Sequence, residues 1–292
     1  MANTSQFNNA SIATKEYNIH MEKINAYAKI NLTLSVTGKR ADGYHDLESV
    51  MHAVDVFDTV YVEKADNICV ECDTPIPENN TAYRAAKAYF ENFEGGAHIK
   101  IEKGIPSEAG MGGASADAAA VLRALQKIYG AYSEDELFLI GKSVGADVPF
   151  CMLGGCATAR GIGEILTPVK GQEMNLLIVK GSRGVSTPLL FSKIKLPLEC
   201  ADTQGMVKAL EQGDVKGVSK KLYNALEKEA QAIVPEIAEY KKRLIECGAL
   251  GAQMTGSGSA VFGIFESLKK AQEAQKEFQD VEFARVCRTI CN

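Results

Sequence analysis

The spacing of apolar residues divides the first half of the chain into strand-like and helix-like stretches. Apolar and other residues alternate between Ala26 and Leu34, which predicts a strand over residues 24–36. A turn-rich stretch follows at residues 38–45, and a second strand-rich region is predicted at residues 50–62. Apolar residues then recur at helical spacing from residue 82 to residue 93, ahead of a pair of glycines.

The middle of the chain reads as a strand, a loop and a helix in succession. Residues 98–102 alternate as in a strand, the glycine-rich run PSEAGMGGASADAAA follows, and the next helical pattern is closed by Gly130. Ser133 and Glu136 have the spacing of a capping box that opens a further helix, and Gly145 is expected to end it.

The remaining third mixes strands and helices without an internal repeat. The predicted elements are a strand at 175–179, helices at 218–229 and 235–247, a strand-turn-strand unit at 249–265, a helix at 267–279 and a last strand at 282–286. This order predicts an α+β fold compatible with a split βαβ sandwich.

Composition narrows the class of protein. The 292 residues are 46% hydrophobic and 24% charged with a net charge of -5, as in an ordinary globular enzyme and unlike a sequence-independent nucleic-acid binder. No apolar stretch is long enough to span a membrane, so no membrane partner is expected. Residues 1–20 are polar and lack the features of a signal peptide, which predicts a disordered extension on a cytoplasmic protein.

The eight cysteines are expected to be buried or free thiols in a reducing compartment. Cys69 and Cys72 have CxxC spacing, but they lie in a strand-like run, where an offset of three residues points them to opposite faces. We therefore expect no metal site at this pair.

The glycine-rich run is the strongest chemical feature of the sequence. Small side chains let backbone N–H groups approach an anion, and the N-terminus of the helix that follows adds partial positive charge. Phosphate is therefore the expected ligand. A tight turn that only serves packing is the alternative. A dinucleotide-binding GxGxxG motif fails at Ser115, and a Walker A motif fails at Glu136. The residues predicted to bind the nucleotide are Pro106, Ser107, Glu108, Ala109, Gly110, Met111, Gly112, Gly113, Ala114, Ser115 and Ala116.

Three separated segments together resemble a known superfamily. AYAKINLTL (26–34), the glycine-rich run and QMTGSGSAVFGIF (253–265) resemble, in order and spacing, the three motifs of the GHMP kinases, named after galactokinase, homoserine kinase, mevalonate kinase and phosphomevalonate kinase. With GKRADGYHDLESV (38–50), GADVPF (145–150) and GIGEILTPV (161–169), the chain looks most like the 4-diphosphocytidyl-2-C-methyl-D-erythritol kinase family.

The resemblance implies an architecture and an activity. The fold would be the two-domain GHMP kinase fold: residues 21–168 form an N-terminal domain like the second domain of ribosomal protein S5, and residues 169–292 form a ferredoxin-like C-terminal domain. The active site would lie in the cleft between them. ATP with Mg²⁺ would phosphorylate the 2-hydroxyl of a small molecule with a cytidine diphosphate group, in non-mevalonate isoprenoid biosynthesis.

Two catalytic residues follow from the resemblance. Lys29 taken alone reads as a lysine that extends to solvent from an apolar strand, and Asp147 as a loop or capping aspartate. In the family pattern, Asp147 accepts the proton of the substrate hydroxyl while the ammonium of Lys29 holds it ionised. Pro149 is expected to keep the residue before it, Val148, extended.

The acceptor site is also implied by the resemblance. Asn31, on the same strand face as Lys29, would position the substrate. A strong turn signal precedes Tyr44 and His45, so they could be turn residues only, but the resemblance implies that they line the cytidine pocket. Phe191 would be the second aromatic platform of this pocket, with Thr187 as a nearby polar contact.

The nucleotide site matches less completely. Asn80 matches an asparagine at the nucleotide end of the ATP site. The family loop usually has leucine at Met111, glycine at Ala114 and serine at Ala116, so Ser115 is left as the hydroxyl for phosphate or metal. The third motif, around Gly256, would rest against the loop.

Two rival functions stay open at this point. One is a homoserine or mevalonate-type kinase of the same superfamily, and the other is a catalytically inactive nucleotide-binding protein. The chain is expected to be a monomer or a weak homodimer.

Overall fold

The computed structural model describes residues 21–291, so the predicted extension at residues 1–20 lies outside the described residues. The strands are β1 (Glu22–Lys39), β2 (His45–Ala65), β3 (Cys69–Cys72), β4 (Gly96–Glu102), β5 (Cys156–Gly161), β6 (Ile165–Val169), β7 (Asn175–Lys180), β8 (Tyr223–Asn224), β9 (Gly251–Met254), β10 (Val261–Phe265) and β11 (Phe283–Arg288). The helices are α1 (Thr81–Tyr89), α2 (Gly113–Tyr129), α3 (Glu134–Val144), α4 (Val148–Leu153), α5 (Thr187–Lys193), α6 (Thr203–Glu211), α7 (Val215–Lys220), α8 (Glu227–Ile233), α9 (Glu236–Glu246) and α10 (Leu268–Gln275).

The first sheet is built on one long antiparallel hairpin. β1 and β2 pair along most of their length, β4 pairs with the later part of β2, and β5 pairs with its beginning. The order is β3-β4-β2-β1-β8, with β5 beside β2 and β6 beside β5. The register of β1 and β2 shifts between Tyr27 and Lys29 and again between Asn31 and Thr33, so irregular pairing surrounds both polar residues.

The second sheet lies in the C-terminal half and has the order β11-β7-β10-β9. All its pairs are antiparallel, and α9 and α10 pack against it. The two halves are also joined directly, because β8 pairs in parallel with β1 and the backbone of Ile290 donates to Ala53 at 2.9 Å. The predicted α+β arrangement is confirmed.

Helix α2 can lie close to the first sheet because its inner face carries small side chains. Ala116, Ala119 and Ala120 are almost fully buried against the sheet core. The predicted helix ends are also confirmed: Gly130 adopts the left-handed conformation after α2, and Ser133 and Glu136 form both hydrogen bonds of the capping box. These local rules fix where α2 ends and where α3 begins.

Three expectations about local structure were wrong. The helix predicted to run to residue 93 ends at Tyr89, because Phe90 and Phe93 instead pack their rings around Tyr89. The helix predicted at 218–229 is interrupted by β8, which pairs with β1. Val148 is not extended; it opens α4, whose first turn accepts Pro149 because that position needs no N–H donor.

The cysteine prediction holds for disulfides and for the orientation of the CxxC pair. All eight cysteines are free thiols, and Cys72 packs against the core while Cys69 is exposed. Within residues 21–291, no helix combines the length and the apolar character needed to cross a bilayer.

A buried ionic cluster closes the base of the glycine-rich loop. Lys103 lies just before the loop and Asp117 near the start of α2, and their charged atoms are 2.8 Å apart. The ammonium of Lys103 also contacts the fully buried Asp58, whose other oxygen accepts hydrogen bonds from the backbone of Gly104 and Ile105 at 2.6 and 2.8 Å. The two ends of the loop are thus fastened to β2.

The single positive charge of Lys103 is shared between two buried carboxylates, those of Asp58 and Asp117. Burial raises the pKa of Asp117 to about 7, although Lys103 opposes the shift. Burial also acts to lower the pKa of Lys103, but the two aspartates outweigh it and the pKa is raised. Oδ1 of Asp117 is buried and has no hydrogen-bond partner among the described residues. Asp117 therefore holds its proton more tightly in the folded state.

This difference predicts how stability depends on pH. Because the folded pKa of Asp117 lies above its ordinary value of 3.8, the contribution of Asp117 to the free energy of unfolding should fall as the pH rises from about 4 to about 7. Asp117→Asn removes this titration, so its stability relative to wild type should rise across that window by at least ~1.4 kcal/mol, one pKa unit. Urea unfolding at several pH values measures this. Asp135→Asn, at an exposed site, is the control; parallel curves for Asp117→Asn and wild type would contradict the assignment.

Candidate active site

One large cavity lies between the two halves of the chain. Its volume is about 1350 Å³, more than a single small ligand usually needs (~300–1,000 Å³). Its wall combines β1, the glycine-rich loop, the turn before β2, α5 and the turn between β9 and β10. The cavity therefore has room for a donor and an acceptor together.

Lys29 is buried at the centre of this cavity wall. Its side chain does not extend to solvent: the residue is only 4% exposed, and its Nζ donates to Oδ1 of Asn31 at 2.8 Å. The same Nζ lies 3.4 Å from Oδ2 of Asp147. The backbone N–H of Lys29 donates to the carbonyl of Met111 in the glycine-rich loop at 3.0 Å. Lys29 thus ties the loop to the carboxylate.

Asp147 lies at the start of α4, yet its carboxylate does not cap that helix. Its side chain is 33% exposed, lines the cavity and faces Lys29. Cys151, one turn later, is no competing nucleophile, because burial and the neighbouring Asp147 raise the pKa of its thiol far above the ordinary range. Asp147 is therefore a carboxylate with open access to a bound molecule.

The glycine-rich loop depends on glycine at two close approaches. Gly110 has φ +71°, and a Cβ there would lie 2.2 Å from the carbonyl oxygen of Thr255. Gly112 has φ +73°, and a Cβ there would press on the side chain of Lys29 at 3.2 Å. Any other residue at these two positions would have a strained backbone and a crowded Cβ. Glycine therefore lets the loop contact both Thr255 and Lys29.

The third motif rests against the loop, as expected. The backbone of Ser259 donates to the carbonyl of Glu108 at 3.1 Å, and that of Ala260 donates to the carbonyl of Ala109 at 3.2 Å. The turn between β9 and β10 thereby holds the loop through two backbone hydrogen bonds.

The structure places the predicted loop residues on the cavity wall with one exception. Residues 106–115 line the cavity. Ala116 does not, since its side chain is buried in the core at 1% exposure. Ser115 keeps its place on the cavity wall, at the first turn of α2.

Asn80 lines the cavity and also has a structural task. Its side-chain oxygen caps α1 by accepting from the backbone of Tyr83 at 2.9 Å, and its amide donates to the carbonyl of Pro77 at 3.0 Å. Asn80 therefore fixes the turn that forms one end of the cavity wall.

The cavity wall also carries the predicted aromatic residues. His45 and Phe191 stack on each other with ring centres 5.2 Å apart and planes inclined by 29°. Tyr44 also lines the cavity and is 61% exposed. Thr187, at the start of α5, shares a hydroxyl contact of 2.7 Å with Ser257 of the third motif.

Several supporting residues were not predicted. The amide of Asn31 donates to Ser49 at 2.8 Å, and its backbone donates to the hydroxyl of Thr255 at 3.1 Å. The amide of Asn224 donates to the carbonyls of Met254 and Gly256, both at 2.9 Å. Ser49 and Thr255 stand inside the motifs that carry the resemblance, whereas nothing near Asn224 in the sequence indicates its role.

Comparison with known protein families agrees with this architecture. Residues 80–155 match the family described as GHMP kinases N terminal domain, and residues 206–282 match the family described as GHMP kinases C terminal. The first match contains the glycine-rich loop and Asp147, and the second contains the glycine turn around Gly256.

Two related proteins match nearly the whole length of this chain. The 4-diphosphocytidyl-2-C-methyl-D-erythritol kinase of Acetivibrio thermocellus is 42% identical over 275 residues, which are 90% of this chain and 97% of that protein. The enzyme of the same name from Clostridium novyi is 40% identical over 264 residues, 87% of this chain and 94% of its own.

Solved structures of related kinases agree with these sequence matches. A crystal structure of 4-(cytidine 5'-diphospho)-2C-methyl-D-erythritol kinase superposes with a TM-score of 0.81 at 35% identity, covering 93% of this chain and all (100%) of its own. Homoserine kinase from Cytophaga hutchinsonii shares the fold, with a TM-score of 0.70 at 21% identity over 93% of this chain and 95% of its own. The chain belongs to the GHMP kinases and, within them, to the 4-diphosphocytidyl-2-C-methyl-D-erythritol kinase family.

Proposed function

We infer that this chain transfers the γ-phosphoryl group of ATP to the 2-hydroxyl of 4-diphosphocytidyl-2-C-methyl-D-erythritol, in non-mevalonate isoprenoid precursor biosynthesis. One observation carries the chemistry: Lys29 contacts Asp147 through its ammonium group and the glycine-rich loop through its backbone. A base and a phosphate-binding loop are thereby held on either side of one residue, as phosphoryl transfer requires.

Asp147 is proposed as the general base. Its carboxylate takes the proton of the acceptor hydroxyl as that oxygen forms a bond to the γ-phosphorus, and the bond from that phosphorus to the β-phosphate bridging oxygen breaks to release ADP. The ammonium group of Lys29 lies 3.4 Å from this carboxylate and places a positive charge beside it. The ammonium also neutralises charge that develops on the transferred group. The hydrogen bond to Asn31 holds the ammonium group of Lys29 in place for both roles.

The loop and the beginning of α2 are proposed to bind the ATP phosphates. The first N–H groups of a helix lack partners inside the helix and carry partial positive charge. The left-handed Gly112 directs the chain into α2, and the ionic cluster of Asp58, Lys103 and Asp117 keeps the two ends of the loop together. A preformed loop loses little entropy when it binds phosphate.

Mg²⁺ fits the oxygen donors on this wall. Ser115 offers a hydroxyl that lines the cavity. Mg²⁺ prefers oxygen ligands, retains several waters and relies on substrate phosphates, so the Ser115 hydroxyl together with the ATP phosphates would be enough to hold it. When bound, the ion would neutralise phosphate charge.

The aromatic end of the cavity is proposed as the cytidine site. When the contact between Phe191 and His45 opens, a cytosine ring can stack between Phe191 and the ring of Tyr44. The imidazole of His45 can then hydrogen-bond the edge of the base. Homoserine and mevalonate carry no base, so these aromatic residues favour the cytidine-bearing acceptor over the rival substrates.

The acceptor itself is the first test. ADP release should be fast with 4-diphosphocytidyl-2-C-methyl-D-erythritol and near background with homoserine, with mevalonate and without an acceptor. A coupled assay with ATP and Mg²⁺ measures all four rates. Turnover with homoserine or mevalonate would contradict the cytidine site, and tight ATP binding without any turnover would indicate an inactive nucleotide-binding protein.

Replacement of the base should affect chemistry more than binding. In Asp147→Asn, kcat should fall at least ~10²-fold, because the amide cannot accept the proton. The dissociation constant for ATP should change little, which fluorescence titration with a labelled nucleotide measures. Asp135→Asn, at an exposed carboxylate in α3, is the matched control and should retain wild-type kcat. Near-normal turnover of Asp147→Asn would remove this residue from the mechanism.

Loss of the aromatic platform should weaken acceptor binding selectively. Phe191→Ala should raise the acceptor KM roughly tenfold or more, since base–aromatic stacking contributes ~1–3 kcal/mol per base. The ATP KM should stay within about twofold. Leu189→Ala, on the same helix but 47% exposed and off the cavity wall, is the control. An unchanged acceptor KM in Phe191→Ala would exclude the stacking role.

A further inference from the structure

A mixed group of potential metal ligands lies on the outer face of the first sheet, away from the cavity. β3 is a four-residue edge strand that pairs in parallel with β4. Its residues alternate: Val70 and Cys72 pack against the core, whereas Cys69 and Glu71 face outward. His98 of β4 is opposite Cys69 in register, so a thiol, a carboxylate and an imidazole share one exposed face.

The ligand atoms are already close together. Sγ of Cys69, a carboxylate oxygen of Glu71 and a ring nitrogen of His98 all lie within 4.8 Å of one another. A tetrahedral ion with bonds of ~2.0–2.3 Å needs its ligands roughly 3–4 Å apart. The group can therefore close around an ion through small side-chain rotations, with no movement of the strands.

His98 is also held in a suitable orientation. Its Nδ1 lies 3.0 Å from a carboxylate oxygen of Glu63 on β2, and its Nε2 lies 3.3 Å from Glu71. A carboxylate that accepts from one ring nitrogen leaves the other free as a metal ligand, and this pairing accompanies most histidine ligands. Lys100, opposite Glu71 in register, directs its ammonium to Glu102 at 2.8 Å.

The donor set selects the class of ion. Thiolate and imidazole suit zinc and related transition metals, whereas Mg²⁺ and Ca²⁺ prefer oxygen alone. We propose that Cys69, Glu71 and His98 bind a divalent ion of the zinc class, with water as the fourth ligand and Glu63 orienting His98. The CxxC spacing was no guide to this site, because the partner of Cys69 is across the sheet and not at Cys72.

Such an ion would stabilise a short edge strand of the sheet. β3 has a single neighbour and only four residues, and the chain after it supplies Thr74, Ile76 and Pro77 to the cavity wall. None of the three ligands lines the cavity. The role assigned to the ion is therefore structural, and it does not depend on the proposed reaction.

Co²⁺ is a suitable probe because its bond to a thiolate absorbs light. Titration of the full chain should give one equivalent of a near-ultraviolet thiolate-to-cobalt band, which excess Zn²⁺ should remove. Cys69→Ser should abolish the band, and His98→Gln should weaken Co²⁺ binding at least tenfold. Glu63→Gln should weaken it ~10–100-fold, the usual effect of losing the partner of a histidine ligand. Cys72→Ser is the matched control from the opposite face of β3 and should behave like wild type.

Alkylation gives a second readout that does not depend on the spectrum. Zn²⁺ should slow the reaction of iodoacetamide with Cys69 at least tenfold but leave exposed Cys200 unaffected, as measured by peptide mass spectrometry. A band that survives in Cys69→Ser, a band lost in Cys72→Ser, or Cys69 and Cys200 equally protected would overturn the proposal. A Zn²⁺ dissociation constant above about 1 mM would overturn it as well.

Discussion

The burial of one ammonium group determines much of the structure. Lys29 is 4% exposed, and a charge removed from water must be paired and hydrogen-bonded to be tolerated. Asn31 supplies the hydrogen bond, Asp147 the opposite charge, and the backbone of Lys29 holds the glycine-rich loop. Three separate segments must therefore assemble before the lysine can be buried, which couples completion of the site to completion of the fold.

The surroundings of this group follow from the same requirement. A loop that passes over Lys29 leaves little room for a Cβ at Gly112, and contact with the third motif leaves none at Gly110. The ends of the loop are fixed by Lys103 and Asp117. Under the proposed function, backbone N–H groups fixed in this way would form a preorganised site, in which little reorganisation is needed as charge develops.

Sequence patterns predicted the features that depend on nearby residues. The capping box at Ser133 and the left-handed Gly130 were correct because both are set within one helical turn. The break at β8 and the early end of α1 were missed because both involve distant residues. β8 pairs with β1, and the rings of Phe90 and Phe93 also pack against Tyr129. Periodicity alone placed Lys29 toward solvent, and only the resemblance brought Lys29 and Asp147 together. The proximity of Cys69 to His98 depends on strand register, which spacing along the chain does not encode.

The two-residue strand β8 has a consequence for synthesis of the chain. It pairs with Thr33 and Leu34 of β1, and it is nearly two hundred residues further along the sequence. Until Tyr223 has left the ribosome, that stretch of β1 presents unpaired backbone groups, and exposed edges of this kind recruit other strands. The nascent N-terminal half thus has a period of vulnerability to aggregation that ends only when the C-terminal half arrives.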